Sequence, residues 1–281
     1  MEPKQNTPKE RVDTLLVQKG YFDSREKAKR AIMAGLVFSQ SEKIDKPGIK
    51  IPVDTLLTVK GSPVPYVSRG GLKLEKAIQS FQLNLQDKIV LDIGASTGGF
   101  TDCALKHGAK LVYAVDVGYG QLDWSLRNND RVIVMERTNF RYSKPEDFPY
   151  GQPDLATIDV SFISLGLILP VLYDILKPHG MAVVLIKPQF EAGKEKVGKK
   201  GLVKDPLVHE EVLNKVLHQA LDLGFLIKGL DYSPITGGEG NIEFLAALIR
   251  TEGEKVEKTD QEMAVWRPVI SQVVKQAHHA L

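Results

Sequence analysis

Five short apolar runs recur at helix-sized intervals: "KIVLDI" (88–93), "LVYAVDV" (111–117), "RVIVME" (131–136), "DLATIDV" (154–160) and "MAVVLIK" (181–187). Strands that face water on one side alternate apolar and polar residues, whereas these runs are nearly continuous. They therefore predict a parallel sheet buried on both faces, with helices covering it above and below. The strongest helical segment is "PLVHEEVLNKVLHQALDLG". Asp205 caps it, Pro206 takes its first turn and Gly224 lies just past its end. The closing "NIEFLAALIR" reads as a late strand, and no internal repeat is visible.

The first 60 residues follow another pattern. "ERVDTLLVQK" and "DSREKAKRAIMAG" read as two helices, the second capped by Asp23 or Ser24 and closed by Gly35. "LVFSQ" and "IKIPVDTLLTVKG" then supply short strands. Ala28, Ala31, Ile32 and Leu36 form the apolar stripe of the second helix, opposite Arg25, Lys29 and Arg30. Residues 1–61 hold 12 Lys and Arg against 8 Asp and Glu, leaving 25 against 27 for the rest. A polyanion-binding role thus belongs mainly to the N-terminus. "GSPVPYVSRGGLKL", stiffened by Pro63 and Pro65, reads as an extended linker. After residue 251 come a charged linker and a short amphipathic helix around "VWRPVISQVVKQ".

An apolar fraction of 43% and a charged fraction of 26% are those of an ordinary globular protein. The lone Cys103, expected in packing, excludes an intrachain disulfide and fits a reducing compartment. The six histidines form no ligand set, His278 and His279 lie at a frayed end, and no metal is expected. "MEPKQNTPKERVD" lacks an apolar signal core, and "FISLGLILPVLYDIL" is broken by Gly166, Pro170 and Asp174. A cytoplasmic chain with no membrane partner, monomeric or weakly dimeric, is the expectation.

Chemistry enters at "VLDIGASTGGFTD". Asp92 ends the first apolar run, and Gly94, Gly98 and Gly99 form a turn that opens a helix. Strand, glycine turn and helix together bring backbone N–H groups against a ligand. The spacing lacks the second glycine of a dinucleotide fingerprint, and no Gly-Lys-Ser/Thr follows to make a P-loop. Asp116 ends the second run, where an acid can accept ribose hydroxyls. Lys73 precedes this core, Asp159 and Lys187 end later strands, and Glu243 opens the last one.

These patterns resemble known families. "RVDTLLVQKGYFDSREKAKRAIMAGLV" resembles the S4 RNA-binding domain, although "SQSEKI" replaces its usual Asn-Gly turn. That resemblance implies RNA contacts from Arg11, Arg25, Lys29 and Arg30. The glycine motif resembles class I S-adenosylmethionine methyltransferases, implying cofactor contacts from Asp92, Gly94, Ser96, Thr97, Gly98, Gly99, Phe100, Asp116, Val117 and Asp159. Lys73, Asp159, Lys187 and Glu243 resemble the catalytic tetrad of FtsJ-like ribose 2′-O-methyltransferases. Arg69 and the glycine-punctuated loop carrying Lys194, Lys196, Lys199 and Lys200 would add RNA contacts. The combination is similar to the TlyA family. It implies a seven-stranded, mostly parallel Rossmann-like sheet and a small α+β S4 domain. The boundaries would be 1–61 for the S4 domain, 62–67 linker, 68–251 methyltransferase and 252–281 tail. It also implies S-adenosyl-L-methionine as cofactor and ribosomal RNA within the subunits as substrate, methylated at a cytidine 2′-hydroxyl. Lys187 would orient that hydroxyl and stabilise developing negative charge; base chemistry stays open, because burial lowers a lysine pKa and two acids raise it. Three alternatives remain at this level: an RNA-binding module on a non-catalytic fold, a Rossmann oxidoreductase, and a pore-forming haemolysin.

Overall fold

The computed structural model describes residues 7–22, 24–40, 42–60, 64–252 and 259–281. Asp23 as a helix cap, the start of the expected linker and the charged stretch before the last helix fall outside them. The chain divides into two units, Met1–Arg69 and Gly70–Leu281.

In the first unit, β1 (Lys9–Arg11) leads into α1 (Val12–Gln18) and then α2 (Arg25–Met33). The strand was not expected. Only three residues long, it pairs antiparallel with β4 (Lys50–Pro52), a partner some 40 residues away that no local pattern announces. Ser24 caps α2 by accepting from the Lys27 N–H at 3.3 Å. Between them, β2 (Val37–Ser39) and β3 (Glu42–Lys43) form a hairpin, and β5 (Leu57–Val59) pairs on the other side of β2. Gln40 turns that hairpin at φ +55°, a left-handed conformation usually left to Asn or Gly. Val12, Leu16, Ala28, Ile32 and Val37 are fully buried in the unit's core.

The second unit opens with α3 (Gly70–Phe81), inside the stretch expected to be extended linker. The prolines end before it. Its buried residues Gly71, Leu74, Ala77 and Phe81 recur at helical spacing. The order then runs β6 (Ile89–Ile93), α4 (Gly99–Lys106), β7 (Leu111–Val115), α5 (Trp124–Arg127), β8 (Val132–Met135), β9 (Leu155–Ile158), α6 (Leu169–Ile175), β10 (Met181–Ile186), α7 (Pro188–Glu191), α8 (Pro206–Asp222), β11 (Phe225–Tyr232), β12 (Phe244–Arg250) and α9 (Thr259–Ala280). Asp205 caps α8 through the Leu207 N–H at 2.9 Å.

Seven strands form one sheet in the order β11-β12-β10-β9-β6-β7-β8. β12 alone is reversed relative to the other six, pairing antiparallel with both β10 and β11. From β6 the chain moves outward through β7 and β8, then crosses to β9 and β10. The reversal lies between β6 and β9, where open α/β sheets bind ligands beyond their carboxyl ends. The tail is no short appendage: α9 runs 22 residues and buries Met263, Ile270, Val273, Val274 and Ala277 in the main core. Accordingly His278 is not frayed. Its Nε2 lies 3.0 Å from Nδ1 of buried His209, whose Nε2 reaches the Val203 carbonyl at 3.1 Å. Cys103 is buried in α4. Among the described residues, no helix is long and apolar enough to cross a membrane.

Candidate active site

A cleft of about 490 Å³ opens at the carboxyl ends of β6, β7, β8 and β9. Gly94, Ser96, Asp116, Val117 and Asp159 line it, five of the ten residues expected around a cofactor. Gly94 is obligatory. It adopts φ +84°, and a Cβ there would sit 2.5 Å from the Asp159 carbonyl oxygen. The β6 turn thus lies against the backbone of the residue that ends β9. Asp116 accepts from Ser96 N–H at 2.8 Å and Gly118 N–H at 2.7 Å, one bond on each oxygen. Each oxygen keeps a second acceptor direction toward the cleft.

Asp92, Thr97, Gly98, Gly99 and Phe100 are not among the lining residues. Asp92 lies beneath the turn at 1% exposure, accepting from Thr101 Oγ1 at 2.6 Å and Thr157 Oγ1 at 2.9 Å. It ties β6 to α4 and β9. Burial pushes its carboxyl up to about 6 despite both hydroxyls, which favour the charged form. Gly98 caps α4 at φ +93°, and Gly99 and Phe100 are buried in the helix's first turn. Their work is to shape the turn. Five polar lining residues were not expected from the sequence: Gln121, Thr138, Asn139, Arg141 and Ser161. The signal available was position, since each follows closely on a strand's carboxyl end.

The four residues expected to be catalytic converge. Lys187, at the start of α7, places Nζ 2.6 Å from Asp159 Oδ1 and 3.1 Å from Ser161 Oγ. Lys73, from α3, lies 2.7 Å from Glu243 Oε2 and 3.7 Å from Asp159 Oδ2. Three of the four side chains are about nine-tenths buried or more, while Asp159 is 20% exposed and faces the cleft. Two cations and two anions therefore alternate as Glu243–Lys73–Asp159–Lys187. Such a chain offsets the desolvation cost that any one of these charges would carry alone.

The basic residues expected to meet RNA are spread more widely. Arg11 and Arg25 both reach buried Asp13, at 2.9 and 3.1 Å. Hydrogen bonding from Arg11 is the main cause that holds the Asp13 carboxyl well below the usual carboxylate range. Lys29 pairs with Glu26 at 2.7 Å, Arg30 is half-buried on the same helix, and Arg69 is exposed just before α3. In the loop after α7, Lys194, Lys199 and Lys200 are exposed, and Lys196 pairs with Glu211 of α8. No cluster of three or more His, Cys, Asp or Glu among the described residues is placed to hold a metal ion.

A sheet in this order, with a glycine turn after its first strand and an acid ending its second, defines a methyltransferase of the FtsJ-like class. The FtsJ-like methyltransferase model matches residues 66–250, and the S4 domain model matches residues 10–56. The chain is 58% identical to YqxC of Bacillus subtilis over 97% of its own length and 95% of that protein. It is 43% identical to the 16S/23S rRNA (cytidine-2'-O)-methyltransferase TlyA of Mycobacterium tuberculosis, covering 87% of this chain and 91% of the relative. A solved Streptococcus thermophilus structure, provisionally described as a hemolysin, superposes with a TM-score of 0.75 at 55% identity, covering 98% and 97% of the two chains. The chain belongs to the TlyA family, which joins an S4 domain to an FtsJ-like methyltransferase core.

Proposed function

We propose that this protein transfers a methyl group from S-adenosylmethionine to the 2′-hydroxyl of a cytidine in ribosomal RNA. The observation that carries this reading is the Lys187–Asp159 contact of 2.6 Å at the edge of the cleft, with Asp159 itself in the lining. The residues present fit the cofactor. Asp116 offers acceptors for a ribose diol, and Gly94, also in the lining, lets the turn lie close against the Asp159 backbone. When bound, S-adenosylmethionine supplies an electrophilic methyl group on a sulfonium.

The chain's own residues do the rest. A lysine ammonium has three donors. Ser161 accepts from one, Asp159 Oδ1 lies in ion-pair contact at 2.6 Å, and on this reading a remaining donor holds the incoming hydroxyl. Held so, the oxygen is oriented for in-line attack, and the ammonium stabilises the negative charge that grows on it. Asp159 holds the Lys187 ammonium in place at 2.6 Å. Lys73, bridging Glu243 and Asp159, fixes Asp159 in turn. We assign Lys187 orientation and charge stabilisation ahead of proton removal, because an ammonium flanked by an acid is a poor base.

Substrate grip falls to the S4 unit, with Arg25, Lys29 and Arg30 on one helix, and to the exposed lysines after α7. These contact phosphates and position the RNA without reading its sequence. A substrate of this kind places the protein in the cytoplasm with the ribosome, acting as a monomer or weak dimer. The test is incubation with isolated ribosomal subunits and methyl-labelled S-adenosylmethionine, followed by nucleoside analysis. Label recovered as 2′-O-methylcytidine supports the reading; label on a base, or none, overturns it.

A further inference from the structure

The segment between Asp159 and Leu165 serves two masters. Asp159 holds Lys187, while Val160, Ser161, Phe162 and Ile163 line the cleft. It is also a segment that does not hold itself. Phe162 sits at φ +63°, a conformation unfavourable for a bulky residue, and it is 91% exposed. Strain of that kind persists only where neighbouring structure over-determines it. The Asp159 end is held by the Ile93 carbonyl and Lys73, and α7 grips the segment on both sides of the strained residue.

Three residues within one turn of that short helix grip the segment at three points. Lys187 reaches Asp159 and Ser161 before the strained residue. The Phe190 ring packs against Phe162, with centroids 4.9 Å apart. Glu191 takes the far side, its Oε2 accepting from Ser164 Oγ and its Oε1 from the Leu165 N–H, both at 2.7 Å. Ser164 Oγ in turn accepts from the Gly166 N–H at 3.2 Å and so closes the turn that ends the segment. Glu191 is 4% exposed, and Lys215 of α8 donates to its backbone carbonyl at 3.1 Å. The anchor is therefore fixed to a long helix. Of the three grips, the Glu191 carboxylate alone uses two hydrogen bonds to the far half of the segment, well away from Asp159.

We propose that Glu191 is a positioning residue for methyl transfer: it holds the 159–165 segment in register with α7 and so keeps Asp159 and Ser161 on Lys187. This rests on the methyltransferase reading for its kinetic arm only. The role needs acceptor oxygens at this position; a negative charge is not required. Glutamine keeps one acceptor for Leu165 and offers its amide to the Ser164 hydroxyl, which can accept instead. Alanine leaves both donors without a partner in a buried place.

The experiment compares the full-length wild type with Glu191→Gln, Glu191→Ala and Ser164→Ala. Lys187 reactivity is read by competitive acylation with acetic anhydride and mass spectrometry, which needs no RNA. Turnover is read on isolated ribosomal subunits. In Glu191→Ala, Lys187 should acylate severalfold faster and kcat should fall about tenfold or more. KM for S-adenosylmethionine should rise by less than kcat falls, because Gly94, Ser96 and Asp116 are untouched although residues 159–163 line the same cleft. Glu191→Gln should recover most of both. Ser164→Ala, which deletes one bond and leaves the carboxylate in place, should show the same changes at smaller amplitude, and it carries the test if Glu191→Ala does not fold. Wild-type acylation and turnover in Glu191→Ala, or in Ser164→Ala if that variant stands alone, would overturn the proposal. So would a Glu191→Gln enzyme as impaired as Glu191→Ala. A wild type that transfers no methyl group to RNA would remove the proposed function, while the acylation arm would still decide the role of Glu191.

Discussion

Each unit of this protein gathers two cations around one aspartate, and the two clusters are built in opposite senses. In the first, Asp13 is wholly buried while Arg11 and Arg25 reach it from a surface where they stay 40% and 51% exposed. In the second, Lys73 and Lys187 are the buried partners, and Asp159 is the member that faces the cleft. The same charges thus do different work. Around Asp13 the acid is spent on holding α1 and α2 in place, with the guanidiniums' outer edges left to solvent or phosphate. Around Asp159 the cations are desolvated and turned on an acid that lines the cleft, where the proposed function puts the substrate. Burial of the cation, more than its presence, separates a reagent from a scaffold.

Breaking each aspartate in turn should pull the two clusters apart. Asp159→Asn should lower methyl transfer by two to three orders of magnitude, roughly what losing one preorganised electrostatic partner costs. A variant that folds and turns over at the wild-type rate would show that Asp159 is scaffold too. Asp13→Asn should do the reverse. It should destabilise the first unit by about 2 kcal/mol, the order expected when a buried carboxylate loses charge-assisted bonds, and leave transfer to saturating RNA unchanged; denaturant melts with a parallel kinetic assay separate the two.

The linkage sign agrees. The Asp13 carboxyl is depressed in the folded chain, so its stabilising contribution is present above the ordinary carboxylate range and is lost only in acid below it. Smaller again is the effect of Arg25/Lys29/Arg30→Ala. RNA affinity should drop about tenfold at physiological salt, with a flatter dependence on salt concentration, because fewer counterions are released. An unchanged slope in a filter-binding series would remove that helix face from the RNA interface.

The smallest effect concerns pH and the last helix. Burial pulls His209 down to about 4, below its ordinary 6.5. A depressed histidine binds its proton more readily unfolded, so stability is full above 6.5 and declines as pH falls toward 4. His209→Gln should flatten the slope of melting temperature across that window; an unaltered slope would assign the titration elsewhere.

Much of this architecture was legible because its strands are buried on both faces and its main helix carries its own punctuation at Asp205, Pro206 and Gly224. Lys73, Asp159, Lys187 and Glu243 could be named together through their resemblance to the FtsJ-like tetrad; strand ends locate Asp159, Lys187 and Glu243, while Lys73 stands on α3. What escaped depended on partners distant in sequence. β1 exists because β4 pairs with it. β11 is an edge strand with a bulge between Ile227 and Gly229, so its apolar pattern is broken. An amphipathic helix was expected in the tail, but not the 22-residue length of α9, whose apolar stripe makes sense only against α8 and the sheet. Glu191 and Ser161 were visible as letters in "KPQFE" and "SFISL". Only coordinates show one capping a turn and the other holding the lysine.

The most direct trial of the catalytic cluster is Lys187→Ala, assayed side by side for S-adenosylmethionine binding by calorimetry and for methyl transfer to isolated ribosomal subunits. A cofactor affinity within about threefold of wild type, with transfer reduced at least about a thousandfold, is the predicted result. Transfer at the wild-type rate by a folded, cofactor-binding Lys187→Ala protein would contradict it.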